Sequence, residues 1–279
     1  MAVDLHLHTY HSDGSWSPSE LVSHAIRLKL SCIAITDHDS VAGIEEARLA
    51  AAEKLEVIAG IEINTILKEP DGSKRDVHIL GYFIDPENEE LKVIMQRQQD
   101  ARNQLVDDII EKVQSCGINL TIADVRECAG NGSIGRPHIT RAIVKVGGAK
   151  NLTAAYERFM MRTSPDYVAR HSVEPHEAIA AIRAAGGISS IAHPGKNVEI
   201  EPIILMLKEA GLNAVEAYHR SHNLKTVKRY LKFATANKML VTGGSDCHGP
   251  SDGYPASIGT VSVSPDVVRN LKLTLKAAC

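Results

Sequence analysis

The 279-residue chain is 44% hydrophobic and 23% charged, enough to bury a full core as one large domain or as one domain carrying a smaller insert. A formal net charge of -3 and a sequence pI near 6.5 give no global positive field, which argues against tight non-specific binding to long nucleic acid. Five cysteines, odd in number and without a CxxC pair, argue against a secreted disulfide scaffold, and the first residues carry neither a basic nor an apolar leader segment. With no run of about 18 apolar residues anywhere, a cytoplasmic protein with no membrane contact is expected.

In chain order, short β-branched or apolar runs at 3–7, 32–36, 56–64, 77–84, 188–192, 214–218 and 240–243 are expected as strands. Amphipathic stretches between them are expected as helices: one beginning at Pro18 after Ser17, then 41–54, 175–185, 201–210 and 224–237, with Gly186 and Gly211 as stop signals. Strands alternating with helices predict parallel strands joined by crossover helices, that is, a barrel of β/α units.

Between Asp85 and about Val173 the alternation stops, and only helical patterns remain, over 87–116, 122–128, 137–146 and 152–161. Residues 86–173 are therefore expected to form a helical insertion in a barrel built from 1–85 and 174–279. The last segment, 265–278, is an amphipathic helix suited to covering that barrel. No internal repeat or low-complexity segment interrupts the pattern.

Thirteen histidines are the compositional outlier, and their positions matter more than their number. Residues two apart on a strand share a face, so His6 and His8 present two imidazoles side by side at the end of the first strand. The second strand ends near His38, the third near Glu62, the fourth near His78, the fifth at His193, and the seventh at Asp246 and His248. Asp13 follows the first strand closely. Barrels of β/α units gather their working groups at the C-terminal ends of strands. Any one histidine alone is more readily a surface or core residue, but this set appears in every unit except the sixth.

Nine His and carboxylate ligands exceed what one four- to six-coordinate ion accepts, so two or three ions with Glu62 as the bridge are expected. Mixed N/O ligation without thiolate suits Zn, Mn or Fe. Clustered ions favour hydrolysis of a phosphate ester by an activated hydroxide. There is no G-x-S-x-G, no P-loop and no Cys-His arrangement for covalent catalysis.

The motifs DLHLHTYHSDG, ITDHD, GIEIN, GGISSIAHPG and GGSDCHG, in this order, resemble the PHP (polymerase and histidinol phosphatase) superfamily. The resemblance implies a distorted (β/α)7 barrel, the PHP fold, with a trinuclear site and an inserted helical cap domain. By analogy His6, His8, Glu62 and Asp246 would hold the first metal, Glu62, His78 and His193 the second, and Asp13, His38 and His248 the third; some relatives carry His at the position of Asp13. The insertion, with Gly135-Arg136-Pro137-His138-Ile139, resembles the branch of nucleoside 3′,5′-bisphosphate phosphatases and 5′-to-3′ exoribonucleases.

In that branch Arg136 would bind the substrate phosphate as a bidentate fork, and His138 would bond it or protonate a leaving oxygen. Alternatively, Arg136 caps its loop and His138 is a polar residue of a helix N-terminus. After the sixth strand, His222 resembles the family's Ser-His pair and is a second phosphate contact, with Lys196 a further one; a surface histidine and a solvated loop lysine are the alternatives. His11, His24, His171, His176 and His219 are read as structural or surface residues, and Cys247 as packing.

The expected function is a metal-dependent phosphoesterase acting on a phosphomonoester of a small nucleotide-like substrate, with no protein partner implied. Rival readings are an exonuclease on short RNA or DNA ends, which would use a basic track around Arg158, Arg162 and Arg170, a histidinol-phosphate phosphatase, and a metal-binding module without turnover.

Overall fold

A computed structural model of the chain describes residues 2–69, 71–130, 134–161, 163–169, 171–250 and 256–278. Its strands are β1 (Ala2–Asp4), β2 (Leu30–Ile35), β3 (Glu56–Lys68), β4 (Lys74–Tyr82), β5 (Ile188–Ile191), β6 (Ala214–His219) and β7 (Leu240–Gly244). Its helices are α1 (Pro18–Arg27), α2 (Ile44–Ala51), α3 (Glu89–Ser115), α4 (Ile122–Ala129), α5 (Arg136–Lys145), α6 (Leu152–Phe159), α7 (Pro175–Ala184), α8 (Glu201–Glu209), α9 (Leu224–Ala236) and α10 (Pro265–Ala278).

The strands form one seven-stranded sheet in sequence order. Its two edges come together where Leu5 N–H donates to Gly243 O at 3.3 Å and Leu7 bridges Cys247, so the sheet is a nearly closed barrel. Local signals start the helices as the sequence implies. At α1, Pro18 occupies the first turn, where its missing N–H costs nothing, while Ser17 Oγ accepts from Glu20 N–H and Glu20 Oε2 accepts from Ser17 N–H.

The expectation of uniformly parallel strands fails at one place. β3 and β4 pair antiparallel from Gly60↔Tyr82 to Lys68↔Lys74, and β4 pairs antiparallel with β5 as well. The remaining neighbours are parallel, so β4 alone runs against the other six strands. The cause lies in the connection: with no helix between β3 and β4, the chain has no crossover and can only return as a hairpin. β3 accordingly runs past Glu62 to Lys68, and His78 lies in the middle of β4, opposite Asn64, instead of at a strand's C-terminal end.

The chain divides into two compact units, Met1–Met95 with Val173–Cys279, and Gln96–Ser172. The boundary runs inside α3, because Leu91 and Ile94 of its first turns are buried in the barrel unit's core with Ile61, Ile63 and Ile79. The second unit has a core of its own, in which Leu105, Ile109 and Val113 of α3 meet Val125, Ile139, Ile143 and Phe159. Among the described residues, no helix is long and apolar enough to cross a membrane.

Candidate metal centre

Beyond β1 the chain stays extended, with Leu7 N–H donating to Thr36 Oγ1 at 3.0 Å and His8 N–H to Cys247 O at 3.0 Å. Alternation sends Leu5 and Leu7 to the core and His6 and His8 to the opposite face, and all four are fully buried. The face that receives the two imidazoles is closed by Glu62.

The Glu62 carboxylate is surrounded by five imidazoles. Its Oε2 stands 3.2 Å from His6 Nε2, 3.3 Å from His8 Nε2 and 3.0 Å from His38 Nδ1. Its Oε1 stands 3.0 Å from His78 Nδ1 and 3.1 Å from His193 Nε2. Burial opposes ionisation of Glu62, yet the imidazoles of His38, His6, His78 and His193 together hold it well below the usual carboxylate range.

Asp246 approaches the same pair of histidines from the other end of the barrel sheet. Its Oδ1 lies 3.3 Å from His8 Nε2 and 3.5 Å from His6 Nε2, while its Oδ2 lies 3.1 Å from His219 Nε2 and 3.3 Å from Lys196 Nζ. On the open side, Asp13 Oδ1 pairs with His248 Nε2 at 3.2 Å and stands 4.0 Å from His8 Nδ1, and Asp13 Oδ2 is 3.9 Å from His38 Nε2. Desolvation lowers His248, but the hydrogen bond and charge of Asp13 more than offset it and carry the imidazole up to about 9. Burial instead dominates at His38 and His193, which stay neutral down to about 3 and about 4.

Among the described residues, four overlapping groups could each hold a cation: His6, His8 and Asp246; His38, Glu62 and His78; His8, Asp13, His38 and His248; and His6, Glu216 and His219. The donor set fits such an ion on two grounds. His8 Nδ1 and His193 Nδ1 are buried nitrogens with no hydrogen-bond partner among the described residues, while His8 Nε2 and His38 Nδ1 face carboxylate oxygens at 3.0–3.3 Å without hydrogen-bond geometry. Ligand atoms each about 2.1 Å from one ion stand about 3.0–3.5 Å apart, the spacing seen around Glu62 and Asp246.

The structure thus brings His6, His8, Asp13, His38, Glu62, His78, His193, Asp246 and His248 into one cluster within the barrel unit. Lys196 joins it through Asp246, with its side chain 45% exposed. His222 does not present a free nitrogen. Its Nδ1–H donates to Ala217 O at 2.9 Å and its Nε2 accepts from Gly195 N–H at 3.0 Å, so a phosphate contact would require one of these bonds to break. Arg136 and His138 belong to the other unit. Arg136 lies over the Tyr167 ring and donates to Val168 O at 2.8 Å, while His138 Nδ1 accepts from Gly135 N–H at 3.0 Å at the start of α5. Of the proposed basic track, Arg158 pairs with Asp166 at 3.1 Å, and Arg162 and Arg170 lie outside the described residues.

His171 and His176 are exposed, His24 stacks on Trp16, and Cys247 is fully buried in the barrel unit's core. His219, expected to be structural or on the surface, is buried inside the cluster. Glu216 was also missed: its Oε1 accepts from His6 Nδ1–H at 2.9 Å and its Oε2 from His193 N–H at 2.6 Å. A signal existed, since a carboxylate within the apolar run Ala-Val-Glu-Ala-Tyr is costly to bury without a purpose.

A family model for the PHP domain matches residues 4–119. The chain is 28% identical to a 3′,5′-nucleoside bisphosphate phosphatase of Chromobacterium violaceum, over 99% of this chain and 96% of that one. It is 34% identical to a 5′-3′ exoribonuclease of Haemophilus influenzae, over 88% of this chain and 90% of that one. A crystal structure of a candidate metal-dependent phosphoesterase from Bifidobacterium adolescentis superposes with a TM-score of 0.82 at 33% identity, spanning 97% and 95% of the two chains.

Proposed function

The chain belongs to the PHP family and is a metal-dependent phosphoesterase, and from that premise we propose that it hydrolyses a phosphomonoester of a small nucleotide-like substrate, such as a nucleoside 3′,5′-bisphosphate. The observation that carries the metal part of this reading is the single Glu62 carboxylate ringed by five imidazoles. The substrate part is supported by the nearly end-to-end similarity to the Chromobacterium phosphatase.

Two or three Mn, Zn or Fe ions fit the donor set: one at His6, His8, Glu62 and Asp246, one at Glu62, His78 and His193, and one at Asp13, His38 and His248. When bound, such ions lower the pKa of water toward about 7 and neutralise phosphoryl oxygens. The chain's own groups then have distinct tasks. Glu62 would be the residue shared by two neighbouring positions. Lys196, half in solvent beside Asp246, offers an ammonium to a phosphoryl oxygen. Arg136 would offer a planar fork to phosphate, and His138 would bond the same group or protonate a leaving oxygen. In this reading residues 86–173 are the helical insertion, within which residues 96–172 form a compact unit of their own.

A second reading, 5′-to-3′ exonuclease action on short RNA or DNA ends, is favoured by the Haemophilus relative. Phosphate release from adenosine 3′,5′-bisphosphate and nucleotide release from a 5′-phosphorylated oligonucleotide, measured on one metal-loaded preparation, separate the two. A larger kcat/KM on the bisphosphate is expected; a larger value on the oligonucleotide would replace the first reading with the second.

A further inference from the structure

β6 is the one strand whose unit supplies no ligand in the set above, yet Glu216 and His219 from it touch the cluster, and His222 in the loop behind it packs against His219. Regular alternation would put residues 216 and 219 on opposite faces of the strand. The pairing with β7 slips between Glu216 and Tyr218, where two residues are spanned on β6 for one on β7, and this bulge turns Glu216 and His219 to the same buried side.

The ring nitrogens fix the proton positions. His219 Nδ1 accepts from Ser221 N–H at 3.0 Å, so the proton of the neutral ring sits on Nε2 and is donated to Asp246 Oδ2 at 3.1 Å. That leaves Asp246 Oδ1, facing His6 and His8, as the oxygen available to an ion. Glu216 Oε1 takes the proton of His6 Nδ1, which leaves His6 Nε2 as the lone-pair nitrogen facing Glu62 and Asp246. Glu216 Oε2 also holds the amide of His193, a non-glycine residue kept at φ +30°.

His222 completes the set. Its Nε2 accepts the Gly195 amide in the turn after His193, so close that a Cβ on Gly195 would lie 2.6 Å from that nitrogen.

We propose that Glu216 and His219 are positioning residues that select the nitrogen of His6 and the oxygen of Asp246 presented to the metal, and that His222 fixes the turn carrying His193. The inference rests on the metal-centre reading and assigns these three residues an orienting role in place of ligation. Outer groups of this kind typically alter metal affinity about 10–100-fold.

The test is Mn(II) titration, followed by electron paramagnetic resonance and elemental analysis, on the wild type and on Glu216→Gln, Glu216→Ala, His219→Phe and His219→Gln, with the thermal midpoint of each protein measured without metal. Expected is an unchanged Mn(II) stoichiometry at saturation with affinity weakened about 10–100-fold in Glu216→Ala and His219→Phe. His219→Gln keeps an N–H for Asp246 Oδ2 and should recover part of the loss, and the midpoints without metal should stay near wild type. Wild-type affinity in every variant, or loss of one equivalent of Mn(II) at saturation, would overturn the inference, the latter by making the residue a ligand. Absence of Mn(II) uptake by the wild type would instead sink the metal-centre reading.

Discussion

Asp37 grips Thr9 through both of its oxygens, Oδ1 accepting the Thr9 amide and Oδ2 its hydroxyl, each at 2.7 Å. Ser12 Oγ adds a third donor to Oδ1 at 2.6 Å, so a buried carboxylate from the turn after β2 shapes the loop that carries Asp13. Hydrogen bonds to a charged group contribute about 1.5–3 kcal/mol each, which is large beside the marginal stability of a domain. Asp37→Ala should therefore lower unfolding free energy by roughly 3 kcal/mol and reduce metal content at the Asp13, His38 and His248 position before the others. Denaturant unfolding and elemental analysis check both parts; full metal content would detach Asp37 from the site.

Arg136→Ala should reduce kcat/KM on the bisphosphate by roughly a hundredfold or more, the scale of removing a preorganised donor to developing charge, while metal content stays that of the wild type. Steady-state kinetics with elemental analysis is the check. Unchanged kinetics would leave Arg136 a role within its own unit, where it meets Tyr167, Val168 and Met160.

Dialysis against a chelator should abolish phosphate release and lower the thermal midpoint, with both restored by Mn, Zn or Fe. Ligand-linked stabilisation amounts to about 2.7 kcal/mol at a free metal concentration a hundredfold above Kd. Calorimetry before and after metal return measures it, and an unchanged midpoint would mean that no tight ion had been removed.

Burial pushes the Cys32 thiol up to about 12, the nearby Glu56 adding to the effect and Lys272 opposing it. Raising an acid's pKa keeps it protonated, so at pH 8 only about one Cys32 in ten thousand is thiolate, the form that reacts. Iodoacetamide at that pH should label the half-buried Cys116 and Cys128 and spare Cys32 and the buried Cys247 until denaturant is added. Peptide mapping by mass spectrometry reads the order of labelling.

Phe159→Ala should cost about 3–5 kcal/mol, because the ring is 1% exposed in the core of the unit formed by residues 96–172. Hydrogen exchange should rise across that unit, while β3 and β4, whose core is separate, keep their protection. Equal loss of protection in both units would show that they unfold as one.

Much of the site was legible because its signals are local. His6-Leu7-His8 announces two inward imidazoles on any extended chain, and helix starts such as Ser17-Pro18 are written in adjacent residues. The reversal of β4 was not legible, since alternating apolar runs look the same in either direction and only the missing crossover helix hinted at a hairpin. The boundary inside α3 depends on which core receives Leu91 and Ile94, and one amphipathic helix can serve two cores in succession.

The sequence by itself determined which residue types the strands and the turns after them supply, and hence the chemistry of the cluster: nitrogen and carboxylate donors in a fixed order, without thiolate. Tertiary structure alone decided which atoms of those residues face each other. The β6 bulge brings Glu216 and His219 inward against their alternation, the Ser221 amide sets the His219 proton, and Gly195 uses the nitrogen of His222 expected for phosphate. Strand periodicity acts over two residues, whereas ring orientation and proton position are set by partners that the fold brings from other turns and strands.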